Sequence, residues 1–204
     1  MNPSYWFWPR VTIFVLFIAL GSAKLLASAG TFDGMHLAPH GASISIPTEG
    51  QIEVGFSPEG SAIELVLKAI NSAHKSIHVM AYVMTNREIT AALISAVDRG
   101  VAVSIEADHK ENIVEDRYGT AQGNLRALRD AGATVCTVSA YPIFHDKAMI
   151  LDGTHVETGS FNYSLASASK NSENAIVFWN SPALASEYDR HFKARISMCA
   201  NYAG

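Results

Sequence analysis

The feature that most constrains this chain is the run from Asp146 to Leu151, apolar enough to be a strand and closed by Asp152-Gly153, a pair suited to a tight turn. Val156-Glu-Thr-Gly159 then returns antiparallel, so a β-hairpin is predicted over residues 146–159. Polar chemistry gathers at one end of it. Alternation along a strand puts His145 and Lys147 on one face, where imidazole and ammonium can meet one phosphate together. Ser160 and Asn162 come after the returning strand and can present a hydroxyl and an amide to the same oxyanion.

Around this hairpin, strand and helix patterns alternate. Strands are predicted over Gln51–Phe56, Ser76–Met84, Val101–Ala107, Thr134–Val138 and Asn174–Trp179. The helix over Ser61–Ala73 places Ile63, Val66, Leu67 and Ile70 on one buried face. That over Asn86–Arg99 turns Ile89, Leu93, Ile94 and Val97 inward before Gly100 stops it. Further helices fall at Asn124–Ala131, Leu165–Ser169 and Pro182–Arg195, the last with proline near its start. Asp108–Gly123 is polar, contains two glycines and reads as a long surface loop. The predicted fold class is α/β, with a mixed sheet sandwiched between helices on both faces. Residues 51–204 are enough for one such domain and few for two.

Residues 1–29 have the pattern of an export signal. Arg10 is the only charge before the apolar Val11–Leu20 stretch, and Ala27-Ser-Ala29 supplies small residues for cleavage. A retained anchor is the alternative, favoured by the aromatic Tyr5-Trp-Phe-Trp8 cluster. Against it, the apolar run breaks at Lys24, short of the roughly 20 residues a spanning helix needs. Residues 30–50 carry Gly, Pro and Ser without periodicity and read as a linker. His36 and His40 lie there four apart, but without a helix their spacing makes no metal site. Cys136 and Cys199 are an even pair that export would allow to bridge, with two buried thiols as the equal alternative. Without residues 1–29 the chain keeps 13 basic against 19 acidic residues. That balance counts against a tight, non-cutting nucleic-acid binder, which carries a basic face.

Written as a pattern, the stretch from His145 to Asn162 reads H-x-K-x4-D-x6-G-S-x-N, which resembles the signature of the phospholipase D superfamily. Val54–Gly60, Met80-Ala-Tyr82 and Lys170–Asn174 look further like the small bacterial, plasmid-type endonucleases that carry one such motif. The resemblance implies a site of His145, Lys147, Asp152, Ser160, Asn162 and Glu173. In it His145 attacks phosphorus, Lys147 and Asn162 neutralise the phosphoryl oxygens with support from Ser160, and Glu173 orients the imidazole. Glu157, in the same hairpin, is the alternative orienter. Parity puts Asp152 off the His145 face, as a turn and salt-bridge residue. Fixed donors of this kind can replace a metal, and no metal or other cofactor is implied.

An imidazole that attacks phosphorus leaves an alkoxide needing a proton, for which a second imidazole is the natural donor. The chain has no second H-x-K: His74-Lys75, His109-Lys110 and His155-Val-Glu157 all have the wrong spacing. The resemblance therefore implies a homodimer with a shared site on its two-fold axis. His155 and His191 are read as surface or core histidines, and Asp108-His109-Lys110 as a loop lining the entrance. Three functions are carried forward. The first is an exported, metal-independent endonuclease acting on DNA or RNA. The second is a phospholipase acting on a membrane lipid such as cardiolipin, and the third a DNA-binding module that does not cut.

Overall fold

The computed structural model describes residues 43–47 and 50–203, so residues 1–29, read above as an export signal, together with His36, His40 and most of the expected linker, lie outside the described residues. Residues 43–47 have no regular structure, and from Gln51 the chain builds one eight-stranded sheet in the order β1-β7-β6-β5-β2-β3-β4-β8. The strands are β1 Gln51–Ser57, β2 Ser76–Ala81, β3 Ala102–Asp108, β4 Thr134–Val138, β5 Lys147–Leu151, β6 His155–Gly159, β7 Glu173–Trp179 and β8 Cys199–Asn201. Only the β2-β3-β4 ladder is parallel, and its crossovers are the helices α2 (Arg87–Asp98) and α3 (Thr120–Asp130).

Alternation along the strands sends Ile77, Val79, Ile105, Val135, Met149 and Val177 to one face. There they meet α1 (Ser61–Ser72), α2 and α3 through Val66, Ile70, Ile89, Leu93, Leu125 and Leu128. Full burial of each such side chain contributes about 1.5–3 kcal/mol. The opposite face sends Met80, Val138, Ala148, Ile150 and Val156 against Ala185 and Phe192 of α5 (Pro182–Ile196). The mixed sheet with helices on both faces is thus the fold expected. Beyond α5 that second face is uncovered among the described residues. Ile52, Val54 and Phe56 of β1 stay exposed, beside half-buried Ile176 and Phe178 of β7.

Most predicted elements stand within a few residues, and three differences have physical causes. Residues 108–123 are not a plain loop. Asp108 ends β3, Lys110–Val114 form a wide helical turn, and α3 begins at Thr120 because Asp116 accepts from the Thr120 and Gln122 amides. The strand expected over Ser76–Met84 stops at Ala81, and Met84 instead bridges Tyr163. Past α5 the chain adds β8, antiparallel to β4, and Cys136 is disulfide-bonded to Cys199 across that pair.

Under α5 lies an unusual core residue. Glu106 in β3 is wholly buried, and neither carboxylate oxygen has a partner among the described residues. Burial pushes its carboxyl up to about 8, although Arg195 acts in the opposite direction. The folded state therefore holds the proton while the unfolded chain releases it near pH 4.5. Stability is lost as pH rises from there to about 8, and then levels off. Glu106→Gln should remove this loss, so its gain in melting temperature over wild type should grow from about pH 5 to about pH 8. An equal gain at all pH values would contradict a protonated Glu106.

Candidate active site

Every residue of β5 is buried, with β2 on one side and β6 on the other, so its polar groups emerge only at its ends. At the starting end, Lys147 pairs with Ala81, the last residue of β2. The last residues of β3 and β6, and the first of β7, reach the same edge of the sheet. Several strand ends thus surround the segment that enters β5.

On that segment His145 is exposed and Lys147 is buried. The Lys147 ammonium donates to the His145 carbonyl at 2.9 Å and lies 3.0 Å from Nδ1 and 3.2 Å from Nε2. The sequence therefore does bring imidazole and ammonium together. Burial lowers the Lys147 pKa, and the charges of Glu173 and Asp146 oppose that fall. Asp146 turns the other way, to His191 of α5 at 3.1 Å. That hydrogen bond, working against burial, keeps the Asp146 carboxyl below the usual range.

Ser160 leaves the end of β6, and its Oγ accepts from the Asn174 amide nitrogen at 3.1 Å and from Asn174 Nδ2 at 3.4 Å. The hydroxyl proton is left free to donate outward. Gly159 permits this closeness, because a Cβ there would overlap the Asn174 carbonyl oxygen. Asn162 has a buried Oδ1 with no partner among the described residues.

Three of the expected residues make no hydrogen bond to His145 or Lys147 among the described residues. Asp152 lies at the far end of β5 from Lys147, in a left-handed turn with φ 55°. Its carboxylate accepts from the backbone amides of His74, Lys75 and Ser76 at 2.7–3.2 Å, which fixes the start of β2. Among the described residues it makes no salt bridge, so its place in the motif is structural. Glu173 accepts from Asn171 Nδ2 at 3.0 Å and makes no hydrogen bond to His145 among the described residues. It acts on the site through its field at Lys147. Glu157 is no orienter either, since it is buried on the α1–α3 face and accepts from the Tyr163 hydroxyl at 2.8 Å. Burial pushes its carboxyl up to about 8.

Three residues given no part in the site now belong to it. Tyr82, just past β2, packs its ring 4.5 Å from the His145 ring at 56°. Asn174 fixes Ser160. Asp108 is a buried clamp and not an entrance residue, accepting from the Phe144 amide at 2.6 Å and from the Glu111 amide at 2.7 Å. The sequence signal for Tyr82 was the likeness of Met80-Ala-Tyr82 to the single-motif endonucleases. None existed for Asp108, whose partners are backbone amides.

Comparison with known proteins gives consistent results. A family model described as "Cardiolipin synthase, PLD-like domain" matches residues 66–196. The chain is 32% identical over 154 residues to a phospholipase D of Rickettsia bellii, covering 75% of this chain and 73% of that one. A phospholipase D of Rickettsia prowazekii is 33% identical, with 66% of this chain and 63% of its own length covered. Among solved structures, Nuc from Salmonella typhimurium, a phospholipase D family member, superposes with TM-score 0.72 at 43% identity. That match covers 76% of this chain and 99% of Nuc. NucT from Helicobacter pylori shares the fold, with TM-score 0.66 at 22% identity over 74% of this chain and 99% of its own.

The burial of Lys147 has a consequence for pH. If its charge is what holds an anion, activity should fall on the alkaline side below the ordinary lysine range near about 10.4. A pH–rate profile flat up to that range would show that the ammonium is not needed or not desolvated.

Proposed function

The chain belongs to the phospholipase D superfamily of phosphodiester hydrolases, and within it we propose an exported, metal-independent endonuclease of low sequence specificity. The observation that carries the reading is the exposed His145 imidazole held against the buried Lys147 ammonium, at an edge where Ser160 keeps a free hydroxyl proton. His145 attacks phosphorus, and the P–O bond to the leaving group breaks as the N–P bond forms, the second imidazole of the shared site giving the leaving oxygen its proton. Lys147, Ser160 and Asn162 hold the charge that collects on the phosphoryl oxygens. Water then opens the phosphohistidine and regenerates the imidazole. Glu173 keeps Lys147 charged against its burial.

Nucleic acid is favoured over lipid by the likeness of Val54–Gly60, Met80–Tyr82 and Lys170–Asn174 to the single-motif endonucleases. The match over 99% of Nuc supports the same choice. The second reading, lipid hydrolysis, rests on the relatives named phospholipase D and on a Chlamydomonas reinhardtii mitochondrial cardiolipin hydrolase at 25% identity over 67% of this chain. Export is supported by the pattern of residues 1–29 and by the Cys136–Cys199 bond, which suits an oxidising compartment. Self-association is supported by the single half-site and by the bare apolar stripe on β1 and β7.

Purified protein should nick plasmid DNA in excess EDTA and leave cardiolipin vesicles intact, and His145→Ala should lose the nicking while keeping its fold. Turnover of lipid alone would select the second reading, and activity lost to EDTA and restored by Mg²⁺ would end the metal-independent one. Mixing tests the shared site. After random exchange with an equal amount of His145→Ala chains, about a quarter of dimers remain fully wild type, and activity should fall accordingly. A fall to one half would mean that each chain works alone.

A further inference from the structure

A nucleophilic imidazole on an exposed side chain is useful only if its ring is held in one orientation, because attack needs a nitrogen aligned with the bond that breaks. Neither Glu173 nor Glu157 makes a hydrogen bond to His145 among the described residues. Besides the Lys147 ammonium, what touches the ring is Tyr82. Its centroid is 4.5 Å from that of His145, and the Lys147 ammonium lies 5.4 Å from the Tyr82 ring. Tyr82 is therefore a common wall for both groups.

The wall is itself fixed at two points by one short turn. The Tyr82 hydroxyl donates to Glu111 Oε2 at 3.0 Å, and its backbone carbonyl accepts from Asn112 Nδ2 at 2.7 Å. Asn112 is wholly buried; the same amide nitrogen also donates to the Asp108 carbonyl at 2.8 Å, and Oδ1 accepts from the Met84 amide at 2.9 Å. Burial, then the bond to Glu111, pushes the phenol up to about 12, so it stays a donor across neutral pH. Asp108, which opens this turn, also holds the Phe144 amide one residue before the imidazole. Residues 108–112 thus set both the backbone leading into His145 and the ring beside it.

We propose that Tyr82 is the positioning residue of His145, held by the Glu111–Asn112 turn, and that it fixes the imidazole orientation from which attack on phosphorus occurs. The proposal rests on the reading of His145 as the nucleophile. It gives the turn an indirect, supporting part, through Tyr82, since no residue of the turn touches the reacting atoms.

The experiment uses Tyr82→Leu, Tyr82→Phe, Glu111→Gln and Glu111→Leu in the full chain, each checked by thermal melting. Tyr82→Leu should lower kcat at least about 100-fold with KM within about 2-fold. Tyr82→Phe and Glu111→Leu, which keep the ring but cut its tie, should each lower kcat about 3- to 10-fold, and combining them should cost no more than either alone. Glu111→Gln keeps an acceptor and should stay within about 2-fold of wild type. A second measurement needs no substrate: the His145 ring-proton NMR signals, assigned with His145→Ala, should lose their ring-current displacement in Tyr82→Leu. A folded Tyr82→Leu with kcat within about 2-fold of wild type overturns the proposal. If Tyr82→Leu does not fold, equal kcat for Tyr82→Phe, Glu111→Leu and wild type overturns it in the same way. Unchanged His145 signals in Tyr82→Leu overturn it independently of activity. If wild type itself cleaves no phosphodiester, the function fails, and the NMR comparison still decides whether Tyr82 orients His145.

Discussion

A strand buried on both faces can show polar chemistry only where it begins and where it ends. β5 is such a strand, and the arrangement of the motif obeys that constraint. An ammonium is tolerated at Lys147 because the strand starts there, within reach of the His145 carbonyl and the fields of Glu173 and Asp146. A carboxylate is tolerated at Asp152 because the strand has ended, and three backbone amides receive it. The two charges share a motif and serve opposite ends of one strand. One faces the open edge, and the other pins the start of β2, whose far end delivers Tyr82 back to that edge.

The same constraint explains what could be read from the sequence. The hairpin was legible because alternation and a turn dipeptide act locally, and His145 and Lys147 were legible because their spacing within it is fixed. The helical faces of α1 and α2 were legible in part. Val66, Ile70, Ile89 and Leu93 are buried, whereas Ile63, Leu67, Ile94 and Val97 are only partly so, with Leu65, Ala69 and Ala96 buried in addition. The turn at Lys110–Val114 was not, because what holds it is Asn112 and Asp108 reaching backbone groups of β3, the segment after β2 and the motif segment. Gly123 hid the true start of α3, since a glycine inside a helix reads as a breaker. β8, at three residues, carries too little pattern to be seen, and pairing decided it. The disulfide was open for a related reason, because only the β4–β8 register brings Cys136 beside Cys199.

Carboxylates show the limit of reasoning by residue type. Glu106, Glu157 and Glu173 look alike in sequence. One is buried without a partner, one is buried against a phenol, and one stands half-buried at the sheet edge. Burial holds the first two protonated near neutral pH, so among the described residues the third and Asp146 are the carboxylates that bring charge to bear on the Lys147 ammonium. The helix α5 enters this balance through His191 and Arg195, both of which act on Asp146.

The pairing of β1 with β7 has a consequence in time. β1 is the first strand of the domain to leave the ribosome, yet Gln51 pairs with Trp179 and Ser57 with Glu173, and no other strand borders it among the described residues. Its ladder hydrogen bonds wait for almost the whole domain. Contacts so distant along the chain make assembly slow, because loop closure comes before any reward from pairing. Until β7 arrives, an apolar strand with unpaired edges is open to other chains. A chain built in this order gains from being kept unfolded until it is complete.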